Sequence, residues 1–295
     1  MRAEATVLAT GTDLIPGLLF LPPRDEDWSP DDGAVTEAPP VVEVGDAFRR
    51  LGAEAPEDPE RLFWFRWVMG HHVSLLTWRL MGDVLADVHQ DIPDSQHRQA
   101  LCQYIDAYSV ALVYTSTVPR AIYHSEIRRR MALQHPAFSG TWAGDYRPVA
   151  RLMRGRASWL EDPSCADVAD SVARNTAIHD YIADHLVPDG GSLLREAVDT
   201  AGSSVSMDKE DLFDNFFMTI RRPTTRIEAL RQLAERVGLI AEDLERYGLY
   251  PLVDGVHHPV LGADTERETA DLVSRTPEIL AAALRSATAQ MRGTQ

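Results

Sequence analysis

Hydrophobic positions along this chain recur with helical spacing, and few segments alternate in the two-residue period of a half-buried strand. The spacing predicts helices over about 59–89, 95–115, 120–134, 146–159, 164–186, 190–200, 208–219, 225–236, 240–247 and 267–290. Pro59 suits a first helical turn, Pro93-Asp94-Ser95 and Pro119 break the pattern, and Pro188-Asp189-Gly190-Gly191 reads as a tight turn. Residues 22–60 are rich in Pro, Asp and Glu and read as an irregular arm, with a short helix near 46–51. A sheet is not expected. The organisation is an irregular N-terminal arm, 1–58, followed by one all-α domain, 59–295.

The first long helix is apolar on most of its sides. At about 100° per residue, His71 shares a stripe with Trp64, Trp67, Val68, Leu75, Trp78 and Leu85, while Leu62, Val73, Leu80 and Val84 lie opposite. Such a helix belongs at the domain centre. An imidazole among indoles needs a polar partner, and burial favours its neutral form. His71 is therefore either a carbonyl-bonded core histidine or a proton-moving group over a flat cofactor. His72 is rotated toward Arg61, Arg79 and Asp83, a more polar edge that could meet substrate. Gly70 leaves room for the close approach of a ring or another helix.

His179 sits inside a second helix, beside Thr176, Ile182, Ala183 and Leu186, and could offer a ring nitrogen to a metal. Asp180 points about 100° away, so a supporting carboxylate is expected elsewhere. His185 is six residues on and does not form a chelating pair with it. In the basic run RAIYHSEIRRRMALQ, 120–134, Glu126 can pair with Arg130, and Arg128 can capture a carboxylate. The loop carrying Ser139, Trp142 and Tyr146 could line an aromatic pocket or serve as a plain turn.

Composition narrows the function classes. The 295 residues carry a formal net charge of −16, which disfavours nucleic acid and anionic membranes as partners. Two cysteines, Cys102 and Cys165, make neither a disulfide framework nor a Cys-rich metal site, and a reducing, cytoplasmic setting fits. No apolar run is long enough to span a bilayer, and the N-terminus lacks the charged start of a signal peptide. A homodimer is compatible with the sequence.

Leu62–Met81 (LFWFRWVMGHHVSLLTWRLM) is similar to the helix of tryptophan 2,3-dioxygenases that carries the distal histidine, with the match on His71. His124–Tyr146, with its arginine cluster and HPAFSGTWAGDY, resembles the haem-dependent L-tyrosine 3-hydroxylases of antibiotic pathways. So does the stretch from Ile178-His179-Asp180-Tyr181 to Ser192-Leu193-Leu194. The resemblance implies an all-α, tryptophan-dioxygenase-like fold and a haem ligated by His179. It also implies hydroxylation of L-tyrosine at ring C3 to L-DOPA with hydrogen peroxide. One branch of that family tethers haem through His-x-x-x-Cys; here Asp189 stands four places after His185, so haem b held without a covalent link is expected. In this reading His71 moves protons, Arg128 and Trp78 contact the cofactor, and His72, Ser139, Trp142 and Tyr146 line the substrate. The alternatives are a related haem oxygenase acting on tryptophan, indole or another aromatic, and a non-catalytic helical binding protein. A di-iron bundle lacks its Glu-x-x-His pairs, and a terpene cyclase its Asp-rich helical motif.

Overall fold

A computed structural model describes residues 17–30, 58–88, 91–187, 207–251 and 274–293. The expected helices at 46–51 and 190–200 and the turn at 188–191 lie outside these residues.

The described chain is all-α but for one small sheet. Helix α1, Pro59–Val88, is 30 residues long and so spans roughly 45 Å. Leu62, Phe63, Phe65, Val68, Met69, Val73, Leu76 and Leu80 are all buried, and α1 runs through the core as its all-round apolar pattern demands. It packs most extensively on α2, Ser95–Ser116, whose N-cap Asp94 accepts from the amide of His97 at 2.9 Å. The third helix, α3, contains a π-helical stretch: Arg120–Ile122, then Tyr123–Arg128 in π form, then Arg129–Gln134.

The helix expected over 146–159 is shorter. α4 covers Tyr146–Met153 and stops where Gly155 adopts φ +64° and the Arg156 amide reaches back to the Arg151 carbonyl, a left-handed C-terminal closure. After two 3₁₀ turns comes α5, Ala166–Leu186, which packs on α2. α6 is Met207–Phe216 and α7 is Arg226–Tyr247. The break expected near 237–239 does not occur, because Val237, Leu239 and Ile240 are buried and their packing outweighs the ~1 kcal/mol helix penalty of Gly238. The last described helix, α8, Thr276–Gly293, packs on α2 and α7; the expected start at 267 lies outside the described residues.

A parallel two-stranded sheet corrects the expectation of no sheet. β1, Leu19–Leu21, pairs with β2, Thr219–Arg221, in the register Leu19 to Thr219 and Leu21 to Arg221. Strands of three residues are too short to show alternation, and their partners lie two hundred positions apart. Met218, at φ +53°, turns the chain from the end of α6 into β2, where a helix to 219 was expected. The Gln232 amide of α7 serves Phe20 twice, accepting from its N–H at 2.7 Å and donating to its carbonyl at 2.8 Å. The segment 17–30 is fixed further by charge. Arg24 pairs with Glu210, Asp211 and Asp214, and the Trp28 indole donates to Asp83 at 2.7 Å.

Candidate active site

The aromatic stripe of α1 meets the end of α6, the π stretch of α3 and the loop before α4. The His71 ring lies against Phe217, centroids 4.1 Å apart and planes 12° apart, and against Trp67 at 4.6 Å. Trp67 in turn touches Tyr123 at 5.8 Å, and Phe138 joins Phe213, Phe216, Phe217 and Trp142 into one continuous set of rings. This set comes from four separated stretches of chain. The apolar face of α6 is legible in the sequence; its meeting with His71 is a tertiary fact.

His71 is half-buried, and its Nδ1 bonds the Trp67 carbonyl one turn back at 2.7 Å. A carbonyl only accepts, so Nδ1 carries the proton and Nε2 keeps its lone pair. Burial pushes the pKa from 6.5 down to about 4, outweighing the carbonyl's opposite effect, so the ring is neutral near pH 7.

His72 does not occupy a polar edge. It is fully buried, with Nε2 2.6 Å from the Phe217 carbonyl and Nδ1 facing Arg236 Nε at 3.5 Å. Burial and then the Arg236 cation hold its pKa well below the usual range. The wheel reading could not show that α7 brings a buried arginine to this side of α1.

The other expected residues fall into separate places. Trp78 and Tyr146 do meet, at 5.1 Å, with Tyr108 on the other edge of Trp78 at 5.1 Å. Trp142 belongs instead with Phe138, His135 and Lys209. Ser139 caps the 3₁₀ turn Gly140–Trp142, its hydroxyl accepting from the Thr141 amide at 3.2 Å. Arg128 bonds the Tyr123 phenol, whose pKa burial raises. Arg130 pairs with Glu126 at 3.0 Å, as the spacing expects, and covers Trp64.

His179 stands on an exposed part of α5, its side chain 62% accessible, with Asp180 Oδ1 3.8 Å from Nδ1, too far for a hydrogen bond. His124 links the neighbourhoods: its ring touches Tyr123 at 5.4 Å, and its Nε2 lies 3.1 Å from the Leu186 carbonyl, two turns beyond His179 on α5.

The residues fit a flat, partly anionic cofactor on one count that concerns this chain alone. The indole N–H groups of Trp67 and Trp78 are buried without a hydrogen-bond partner among the described residues, on the same stripe of α1 as His71. Buried donors left unpaired are costly, and they mark where an acceptor outside the chain can bind. Among the described residues no three His, Cys, Asp or Glu side chains converge on a common metal position.

The fold and this ring cluster define an all-α protein that keeps an uncharged histidine among aromatic walls. The family model described as SfmD 3-methyl-L-tyrosine peroxygenase matches residues 26–176, just over half of the chain, and the chain belongs to that family. The expected kinship with peroxide-using tyrosine hydroxylases is thereby borne out. The match takes in α1 to α4 and ends within α5, before His179. No curated protein gives a significant match. No described helix is long and apolar enough to cross a membrane.

Proposed function

We propose that this protein is a haem-dependent peroxygenase that hydroxylates L-tyrosine at ring C3, converting tyrosine and hydrogen peroxide into L-DOPA and water, as a step in secondary metabolism. The observation that carries the reading is the state of His71: neutral, tautomer fixed by the Trp67 carbonyl, Nε2 lone pair free, walled by rings. A base of this kind takes a proton from peroxide or from the phenol and returns it to the departing oxygen.

His179 would hold the iron, its exposed ring being open to a ligand on the face of α5. Bound there, haem b would supply the oxidising power that no side chain has. Trp67 and Trp78 offer buried N–H donors to the cofactor or substrate. Arg128, already on Tyr123, would bind the amino-acid carboxylate or a propionate. Trp78 and Tyr146, which meet at 5.1 Å, would exclude water from the aromatic ring.

A second reading has one specific support, the substrate named in the family's description, 3-methyl-L-tyrosine. A single methyl in an apolar pocket discriminates by only ~1–3 kcal/mol, so both rings could turn over. The test has two parts. A pyridine haemochrome assay on the purified protein reports cofactor identity and attachment. Peroxide-dependent turnover of L-tyrosine, 3-methyl-L-tyrosine and L-tryptophan then ranks kcat/KM. A protein that stays colourless after haem supplementation is no peroxygenase of this kind, and a preference for either other substrate replaces L-tyrosine.

A further inference from the structure

The two adjacent histidines of α1 face different surroundings, yet both end on the same residue. The His71 ring lies flat on the Phe217 phenyl at 4.1 Å, and His72 Nε2 lies 2.6 Å from the Phe217 carbonyl oxygen. We propose that His72 is a positioning residue that holds Phe217, and through it the ring of His71.

The polarity of that bond is set from behind. Arg236, itself buried, directs Nε–H at His72 Nδ1 from 3.5 Å, so Nδ1 must accept and Nε2 must carry the proton. Arg236 cannot easily turn away, because its guanidinium also donates to the carbonyls of Gln232 and Leu18 and pairs with Glu235. The His72 N–H therefore points at Phe217 in one tautomer only.

Phe217 needs such a hold. It stands where α6 ends and the next residue, Met218, takes a left-handed backbone at φ +53°, a conformation that non-glycine residues rarely adopt. Its amide still makes a helical bond to Phe213, while Met218's carbonyl already belongs to the sheet, accepting from Leu19. The Phe217 peptide is thus a hinge between helix and strand. The His72 bond pins its carbonyl, which fixes where the phenyl stands against His71.

The kinetic consequence rests on the proton role proposed for His71; the geometric one does not, and the experiment separates them. His72→Leu, His72→Gln, Phe217→Leu and the His72→Leu/Phe217→Leu double variant are made in the full-length holoprotein, with circular dichroism confirming the fold. The first readout is the rate of diethyl pyrocarbonate modification of His71, followed by peptide mass spectrometry, which needs no turnover. His72→Leu and Phe217→Leu should each speed it several-fold, and His72→Gln, which restores an N–H donor, should stay close to the parent.

The second readout is steady-state kinetics. His72→Leu should lower kcat about tenfold or more, as misplacement of a reacting group does, with KM little changed. The double variant should be no worse than Phe217→Leu alone, since both act through one ring. Parent-like His71 modification in a folded His72→Leu protein overturns the proposal, as does strict additivity in the double variant. If His72→Leu does not fold, Phe217→Leu decides by itself: an unchanged His71 rate overturns it. Absence of turnover in every protein, the parent included, counts against the proposed function and leaves the modification result standing.

Discussion

Gly70 of α1 lies so close to Thr115 of α2 that a methyl group on Gly70 would stand 2.2 Å from Thr115 Cγ2 and 3.0 Å from the Ala111 carbonyl oxygen. The open position beside His71 is thus filled by a neighbouring helix. Ala in place of Gly normally favours a helix by up to ~1 kcal/mol. Here the crowding opposes it, and overpacking of this kind costs ~1–3 kcal/mol. Gly70→Ala should therefore lower the urea midpoint, and Gly70→Ala/Thr115→Ser, which removes the clashing methyl, should recover most of the loss. A more stable single variant would show that the helices cross less tightly than described.

Arg66 and Asp243 form an ion pair with neither side chain exposed, Nε to Oδ2 at 2.8 Å. The Tyr114 hydroxyl donates to the same carboxylate at 2.6 Å, and the carbonyls of Gly248 and Leu249 take further Arg66 protons. The cluster joins α1, α2 and the end of α7. Burial raises the Asp243 pKa while Arg66 opposes the shift. Removing one member leaves a charge stranded in the core, at a cost of ~3–5 kcal/mol. Asp243→Asn should destabilise by that order in denaturant unfolding, and Tyr114→Phe by less, about 1–2 kcal/mol. Arg66→Met/Asp243→Leu should be less harmful than Asp243→Asn, because no charge is left behind.

The long helices were legible because their signals are local. Pro59 opens α1, Asp94 caps α2, and the apolar stripes of both continue for many turns. The sheet was not legible, since β1 and β2 have three residues each and are joined only by the folded chain. Nor was the π stretch of α3, whose one-residue offset changes which side chains share a face. For the site, the stripe through Trp64, Trp67 and His71 could be read from spacing. The partner that orients His71, Phe217, and the arginine that fixes His72 could not, because both arrive from elements more than a hundred residues away. The roles of His71 and His72 differ by which neighbour each meets, and the sequence records only that they differ by one step of rotation.

The proposed proton carrier, His71, and the proposed iron ligand, His179, should separate cleanly in a spectrum. His179→Ala should lose haem or shift its Soret band, because the iron would lose its protein ligand. His71→Ala should retain haem yet lose most peroxide-dependent turnover, with a loss of order 10²–10⁴ in kcat for a missing acid–base group. The opposite pattern, haem lost with His71 and kept without His179, would exchange the roles. It would place iron on the Nε2 that the Trp67 carbonyl leaves free.

Acid should affect stability and activity through His71 over different ranges. Its folded pKa is about 4, below the unfolded value of 6.5, so between these limits the unfolded chain binds a proton that the folded one refuses. Stability is therefore full above 6.5 and declines as pH falls to about 4. At 1.36 kcal/mol per unit, His71 accounts for ~3 kcal/mol of that decline at most. His72, lowered for the same cause and further by Arg236, adds in the same direction. His71→Phe should flatten the part of the stability curve that His71 contributes, measured as urea midpoints at half-unit pH steps. Activity follows the neutral ring, so the acid limb of kcat/KM, which reports the free enzyme, should fall well below 6.5, toward 4. An acid limb at the ordinary histidine value would mean that the group being titrated is an exposed imidazole and not His71.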